Sequence, residues 1–225
     1  MNLAKPCVDI GLNTNNLDAM LAFWRNDVGA VFDHTLPIRR GVKQHRHDIN
    51  GSVLKINSHY EPLPEALPTS YVELLIARDG LAAARPLHDP DGNAVTLIPK
   101  GAWGIAQIAI RLKVRDLAAH RQFYTEALGL EETASGIFRA GETMLLLEAS
   151  ADAPVDSPAT GKGWRYITFQ VFKTDVEHAH IVRHGGRAGM EPTTLGTTAR
   201  ISMVLDPDGN WIEISQRASL TGSLA

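Results

Sequence analysis

Glu213 stands between Ile212 and Ile214 in the run Trp211-Ile-Glu-Ile. Alternate residues of a strand point to opposite faces, so this carboxylate turns away from the apolar layer. It faces either bulk water or the inside of a cup, and in a cup it is a candidate catalytic residue. Tyr166, in the alternating run from Tyr166 to Phe172, could orient or protonate a substrate, or simply complete an aromatic wall with Trp164 and Trp211. A third group comes from the stretch around Asn50-Gly51, a two-residue type I′ turn signal. Residues equidistant from that turn are partners. Ile49 with Ser52, His47 with Leu54 and His45 with Ile56 share one face; Asp48 with Val53, Arg46 with Lys55 and Gln44 with Asn57 share the other. Arg46 and Lys55 buried together without a partner would cost free energy, so their face either is solvated or meets an anion. If Leu54 and Ile56 pack on a helix, Arg46, Lys55 and Asn57 turn into the cup as substrate-binding candidates, and His45 and His47 pack as core histidines. A shift of one residue would instead gather His45, His47 and His59. His178, His180 and His184 fall on a late helix, where a surface role is expected.

The elements that must position these groups are repeated. The turn before Glu213, Asp206-Pro-Asp-Gly-Asn210, recurs as Asp89-Pro-Asp-Gly-Asn93. Proline presets φ, and the Asp-Gly pair tolerates the bent geometry that follows. Asn16-Leu17, Phe23-Trp24 and Gly29 match Asp116-Leu117, Phe123-Tyr124 and Gly129, each 100 positions later (117 − 17). The chain is a duplication, with halves expected at residues 1–100 and 101–225. Each half reads as strand, helix, three strands, then strand, helix and strands again. The second module of the first half is reduced: Asp79 to Asp89 spans 10 positions (89 − 79) where Asp175 to Asp206 spans 31 (206 − 175), which leaves no room for its helix.

With 44% apolar residues the chain can build a real core, and a formal charge of −3 gives no electrostatic case for nucleic acid or an anionic membrane. No apolar run approaches the roughly 18 residues of a membrane span, and Met1-Asn-Leu-Ala-Lys lacks a signal-peptide core. A cytoplasmic protein, monomer or homodimer, with a small-molecule substrate or ligand is the expectation. Cys7, the only cysteine, reads as a small core residue.

The run Val114-Arg-Asp-Leu-Ala-Ala-His-Arg-Gln-Phe-Tyr-Thr-Glu-Ala-Leu-Gly-Leu130, followed by Asp206-Pro-Asp-Gly-Asn-Trp-Ile-Glu213, resembles the vicinal oxygen chelate superfamily: glyoxalase I, extradiol dioxygenases, and bleomycin- and fosfomycin-resistance proteins. The resemblance covers residues 105–217 and, more weakly, 7–99. It implies an α+β fold of tandem βαβββ modules forming two glyoxalase-like domains, with mixed sheets curled into cups and helices outside. It implies metal ligands near the start of each module's first strand and on its last strand. Glu213 matches the last-strand position and Glu148 falls near its counterpart in the third module. On that module's first strand the position falls on Ala109, with Gln107 two residues earlier on the same face. The fourth module presents Tyr166, and the first half presents Asp9, Lys55, Glu73 and Thr96. Gln107, Glu148 and Glu213 would form an oxygen-rich site for a divalent ion (Mg, Mn, Fe or Zn), the hard donors suiting Mg²⁺ or Mn²⁺. Modules pairing across the halves would bring Glu73 to Gln107 and Glu148, and Glu73 joins Trp211 among the substrate-binding candidates. The implied function is a metal-dependent lyase, isomerase or dioxygenase-like enzyme acting on a small oxygenated or aromatic metabolite. The alternative is a metal-free protein that sequesters such a molecule.

Overall fold

The structure, a computed structural model, describes residues 1–224. The first module runs β1 (Asp9–Thr14), α1 (Leu17–Phe23), β2 (Val31–Arg39), β3 (Val42–Ile49) and β4 (Ser52–His59). The second is β5 (Tyr71–Arg78), β6 (Arg85–His88) and β7 (Ala94–Pro99), with no helix between β5 and β6, as the short spacing requires. The third comprises β8 (Ile108–Val114), α2 (Leu117–Gln122), β9 (Glu131–Ala134), β10 (Ile137–Ala140) and β11 (Thr143–Ala149). The fourth comprises β12 (Gly163–Gln170), α3 (Thr174–Arg183), β13 (Arg187–Leu195), β14 (Ala199–Leu205) and β15 (Trp211–Arg217), and α4 (Ala218–Thr221) follows it.

Local chemistry places these boundaries. Asp116 caps α2 by accepting from the N–H groups of Ala118 (2.9 Å) and Ala119 (3.0 Å). Both α1 and α2 end in a π-helical turn, and the one after α1 stops at Gly29, whose φ of 79° only glycine adopts without strain. In the repeated turns the first aspartate does the same work twice. Asp206 Oδ1 accepts from Asp208 N (3.0 Å) and Asn210 N (2.8 Å); Asp89 Oδ1 accepts from Asp91 N (3.0 Å) and Asn93 N (2.9 Å). The asparagines then tie sheet to sheet: Asn210 Oδ1 accepts from Ser70 N and Asn93 Oδ1 from Trp164 N.

The strands form two curled mixed sheets. One has eight strands in the order β13-β14-β15-β12-β1-β4-β3-β2, the other seven in the order β6-β7-β5-β8-β11-β10-β9. A cup within each half is therefore not what forms. The first module joins the fourth through the antiparallel β1–β12 pair, and the second joins the third through β5–β8. The apolar faces of both sheets and the helices share one core, in which Met20 and Trp24 of the first helical segment, Tyr124, Phe138, Phe169 and Ile181 are buried. The β3–β4 hairpin adopts the register expected from Asn50-Gly51: Arg46 opposite Lys55, Gln44 opposite Asn57, His47 opposite Leu54. Both turn residues have positive φ (55° and 81°), as a type I′ turn demands. His47 accordingly packs in the interior against Phe32, and His45 bonds Thr35 and Ser58. Of the three helix histidines only His180 and His184 reach the surface. His178 is buried, its Nε2 standing 3.5 Å from Glu191 of β13, while beside it Asn2 N donates to Glu177 Oε1 at 2.8 Å.

Candidate functional site

The polar faces of β3, β4, β1, β12 and β15 gather most of the chemistry in the chain. Cross-strand pairing aligns Arg46, Lys55, Gly11, Tyr166 and Trp211 in one row, and Asp9, Thr168 and Glu213 in the next. Lys55 lies at the centre, 2% exposed. Its ammonium donates to Thr168 Oγ1 at 2.7 Å and to Glu213 Oε1 at 3.0 Å, and stands 5.3 Å from the centre of the Tyr166 ring. Burial pushes the ammonium below the usual lysine range, and the charges of Glu213 and Asp9 oppose that fall. Glu213 uses one oxygen for Lys55; among the described residues the other has no hydrogen-bond partner.

Asp9 is fully buried. Burial alone would raise its pKa, but Lys5, bonded to it at 2.6 Å, and Lys55 together outweigh that and hold the carboxyl below the usual range. Its remaining acceptor sites take Val53 N (2.8 Å) and Gln170 Nε2 (3.0 Å). With the folded-state value depressed, the native chain stays deprotonated in a window where the unfolded chain has already bound a proton. The stabilisation is present above the ordinary aspartate pKa and lost as pH falls through the lower folded value. Asp9→Asn is therefore expected to flatten the acid limb of a stability–pH curve measured by denaturant melts, and an unchanged slope below pH about 4 would contradict this account.

The hydroxyl end of the Tyr166 ring lies against Gly11; a Cβ there would come within 2.3 Å of the ring. A chain of amides holds its hydroxyl. Arg46 Nη1 donates to Gln44 Oε1 (2.8 Å), Gln44 Nε2 to Asn57 Oδ1 (3.0 Å), and Asn57 Nδ2 to the Leu12 carbonyl (3.0 Å). These partners fix both amide orientations, so the Tyr166 oxygen accepts from Gln44 Nε2 (3.3 Å) and Asn57 Nδ2 (3.2 Å). Its own hydrogen is free to be donated. Burial, reinforced by the Glu213 charge, raises the phenol well above its usual pKa, so it stays protonated at neutral pH. Arg46 is 4% exposed, and its buried Nε has no hydrogen-bond partner among the described residues. Neither Arg46 nor the half-buried Arg217 has a carboxylate within 4.0 Å among the described residues. Burial first, then the charge of Arg46, lowers the pKa of Arg217.

Of the residues singled out from sequence, Glu213, Tyr166, Arg46, Lys55 and Asn57 meet on this face. Trp211 adjoins them, its indole N–H donating to the Ser157 carbonyl at 2.9 Å. Glu73, Gln107 and Glu148 belong to the other sheet. There Glu73 accepts from Thr96 (2.6 Å) and pairs with Arg111 (3.3 Å), while Gln107 bonds Glu142 at 3.3 Å. Glu148 is exposed, towards the opposite end of the β8–β11 ladder from Ala109. Gln107, Glu148 and Glu213 do not converge, because β15 pairs with β12 while Gln107 and Glu148 follow β8 and β11. The second sheet's counterpart face instead carries Leu75, Ala77, Ile98, Ala109 and Met144 beside the Glu73–Arg111 pair and Thr96. Thr168, Gln170 and Arg217 complete the first face. Their strand parity with Tyr166 and Glu213 is readable, but their juxtaposition with Lys55 and Asp9 required the cross-half pairing.

The donors present do not fit a divalent ion. Among the described residues no three His, Cys, Asp or Glu side chains are arranged to hold one. On the eight-stranded sheet the oxygens of Thr168 and Glu213 close on an ammonium, and on the other sheet Glu73 faces a guanidinium. A second cation about 4 Å from a fixed ammonium meets repulsion of roughly 4 kcal/mol per unit charge at an effective dielectric constant of 20.

Among solved structures, glyoxalase I from Zea mays superposes with a TM-score of 0.75 at 14% identity, covering 93% of this chain and 92% of that one. A point mutant of the same maize protein gives 0.77 at 14% identity, covering 100% and 96%. A putative dioxygenase from Bacillus subtilis subsp. subtilis str. 168 gives 0.72 at 10% identity, covering 96% and 85%. No curated protein matches in sequence. Among the described residues no helix is long and apolar enough to cross a membrane. The family model described as Glyoxalase/Bleomycin resistance protein/Dioxygenase superfamily matches residues 104–214. Residues 104–214 belong to the glyoxalase/bleomycin resistance/dioxygenase superfamily, and the chain as a whole has the fold of glyoxalase I.

Proposed function

We propose that the chain binds a small carbonyl compound carrying an anionic group on the polar face of the eight-stranded sheet, and moves a proton on it without a divalent metal. The observation that carries this reading is a buried face with unused capacity: a guanidinium without an acid, a phenol with a free hydrogen and a carboxylate with a free oxygen. Arg46, with Arg217, supplies counter-charge for the anionic group. The free oxygen of Glu213 takes a proton from the carbon next to the carbonyl. The C–H pair becomes the new C=C bond, the carbonyl π pair moves to oxygen, and Tyr166 donates to that oxygen. On a substrate whose deprotonated carbon also bears a hydroxyl, Glu213 returns the proton to the former carbonyl carbon. That hydroxyl becomes the new carbonyl and its proton passes to the Tyr166 oxygen, which completes an isomerisation; without that hydroxyl the proton returns to its own carbon. Lys55 keeps Glu213 oriented throughout.

The test is exchange of the α-protons of a 2-oxo acid such as 2-oxobutanoate in D₂O, followed by NMR beside a tryptophan-fluorescence titration. Exchange should fall by about 10²–10⁴-fold in Tyr166→Phe, the range for loss of one general acid–base group, while Arg46→Ala should weaken binding. Binding without exchange would assign the sequestering role instead. Neither binding nor exchange across a panel of small 2-oxo acids would overturn the proposal.

A further inference from the structure

We infer that the Lys55 side chain is a built-in cation standing where this sheet would otherwise hold a divalent ion, so that exchanging it for a carboxylate converts the face into a metal site. The inference deepens the reading of this face as the working site. Four strands from opposite ends of the chain converge on one buried point: β4 brings Lys55, β12 Thr168, β15 Glu213 and β1 Asp9. Three of these side chains are oxygen donors. Two, Thr168 and Glu213, bond the ammonium directly (2.7 and 3.0 Å), and the charge of the third, Asp9, acts on it. Hydroxyl and carboxylate oxygens gathered round one positive centre are the surroundings a hard cation takes.

The charge balance supports the exchange. A carboxylate plus a doubly charged ion carries the same net single positive charge as the ammonium it replaces, so the surrounding acids keep their counter-charge. Asp9 keeps its other partners, Lys5, Gln170 and the Val53 amide, and stays in place. The remaining ligand positions of a six-coordinate ion would be filled by water.

The experiment compares wild type, Lys55→Glu, Lys55→Ala, Glu213→Gln and the double variant Lys55→Glu/Glu213→Gln. Each is dialysed against Mn²⁺, its bound metal is quantified, and its fold is checked by circular dichroism. Wild type should retain background metal only, Lys55→Glu about one ion per chain in a carboxylate-rich site, and the double variant far less. Lys55→Ala should gain thermal stability from Mn²⁺ where wild type does not. Stoichiometric uptake by wild type that Glu213→Gln abolishes would overturn the inference. So would folded Lys55→Glu and Lys55→Ala proteins that both ignore Mn²⁺. Should neither variant fold, the wild-type measurement decides alone. No substrate enters this test, so its failure is separable from failure of the proton-transfer reading.

Discussion

Glu213→Gln is expected to destabilise the protein by about 3–5 kcal/mol, the range for removing one member of a buried ion pair. The pair buries both members, Lys55 2% and Glu213 8% exposed. Neutralising the carboxylate leaves the ammonium with a hydroxyl, an amide and the more distant Asp9. The loss comes from an uncompensated buried charge rather than from the missing hydrogen bond itself. At roughly 2–4 °C per kcal/mol for a chain of this size, the melting temperature should fall by on the order of 10 °C. The pair itself need not be worth that much, because replacing both partners by apolar side chains of similar volume is often neutral or better. Glu213→Leu/Lys55→Met should therefore recover most of the loss while abolishing any proton transfer. Chemical denaturation of wild type and the two variants checks this. A single variant as stable as wild type would mean that Lys55 is not held charged by Glu213.

Gly11→Ala should be strongly damaging although it adds only a single methyl group. Gly11 lies in β1 between Ile10 and Leu12, and the Tyr166 ring occupies the space its side chain would take. The added carbon would come within 2.3 Å, 2.4 Å and 2.8 Å of three ring atoms. The tyrosine cannot slide aside freely, since its hydroxyl is held by Gln44 and Asn57 and Lys55 lies over its ring. Either the ring leaves its amides or β1 parts from β12, and overpacking of this kind costs about 1–3 kcal/mol. Ligand binding should weaken with it, because the free O–H moves. Gly11→Ala/Tyr166→Ala separates the two effects: stability should return toward that of Tyr166→Ala alone. If Gly11→Ala destabilises equally whether or not the ring is present, steric conflict with Tyr166 is not the cause.

Much of this site is legible in the sequence, because it rests on local rules. The Asn50-Gly51 turn fixes the hairpin register within a few residues of itself, and that register puts Arg46, Lys55, Gln44 and Asn57 on one face. The repeated Asp-Pro-Asp-Gly-Asn turn and the parity of Ile212, Glu213 and Ile214 turn Glu213 off the apolar layer. The metal set of Gln107, Glu148 and Glu213 failed to form for a reason no local rule contains. Each ladder was right within its own module, but the modules pair first with fourth and second with third. The same pairing gives the two polar faces unlike lining, apolar where Ala109 and Met144 lie and charged where Lys55 lies.

By itself, then, the sequence determined the repeated modules, their hairpins and which side chains leave the core, since turn chemistry and strand alternation act over a few residues. Only the tertiary structure decided which modules share a sheet, and with that the meeting of Lys55 with Glu213 across 158 positions of chain. Edge strands satisfy their backbone groups with whichever partner the packed core presents, and that choice depends on the burial of both sheets at once.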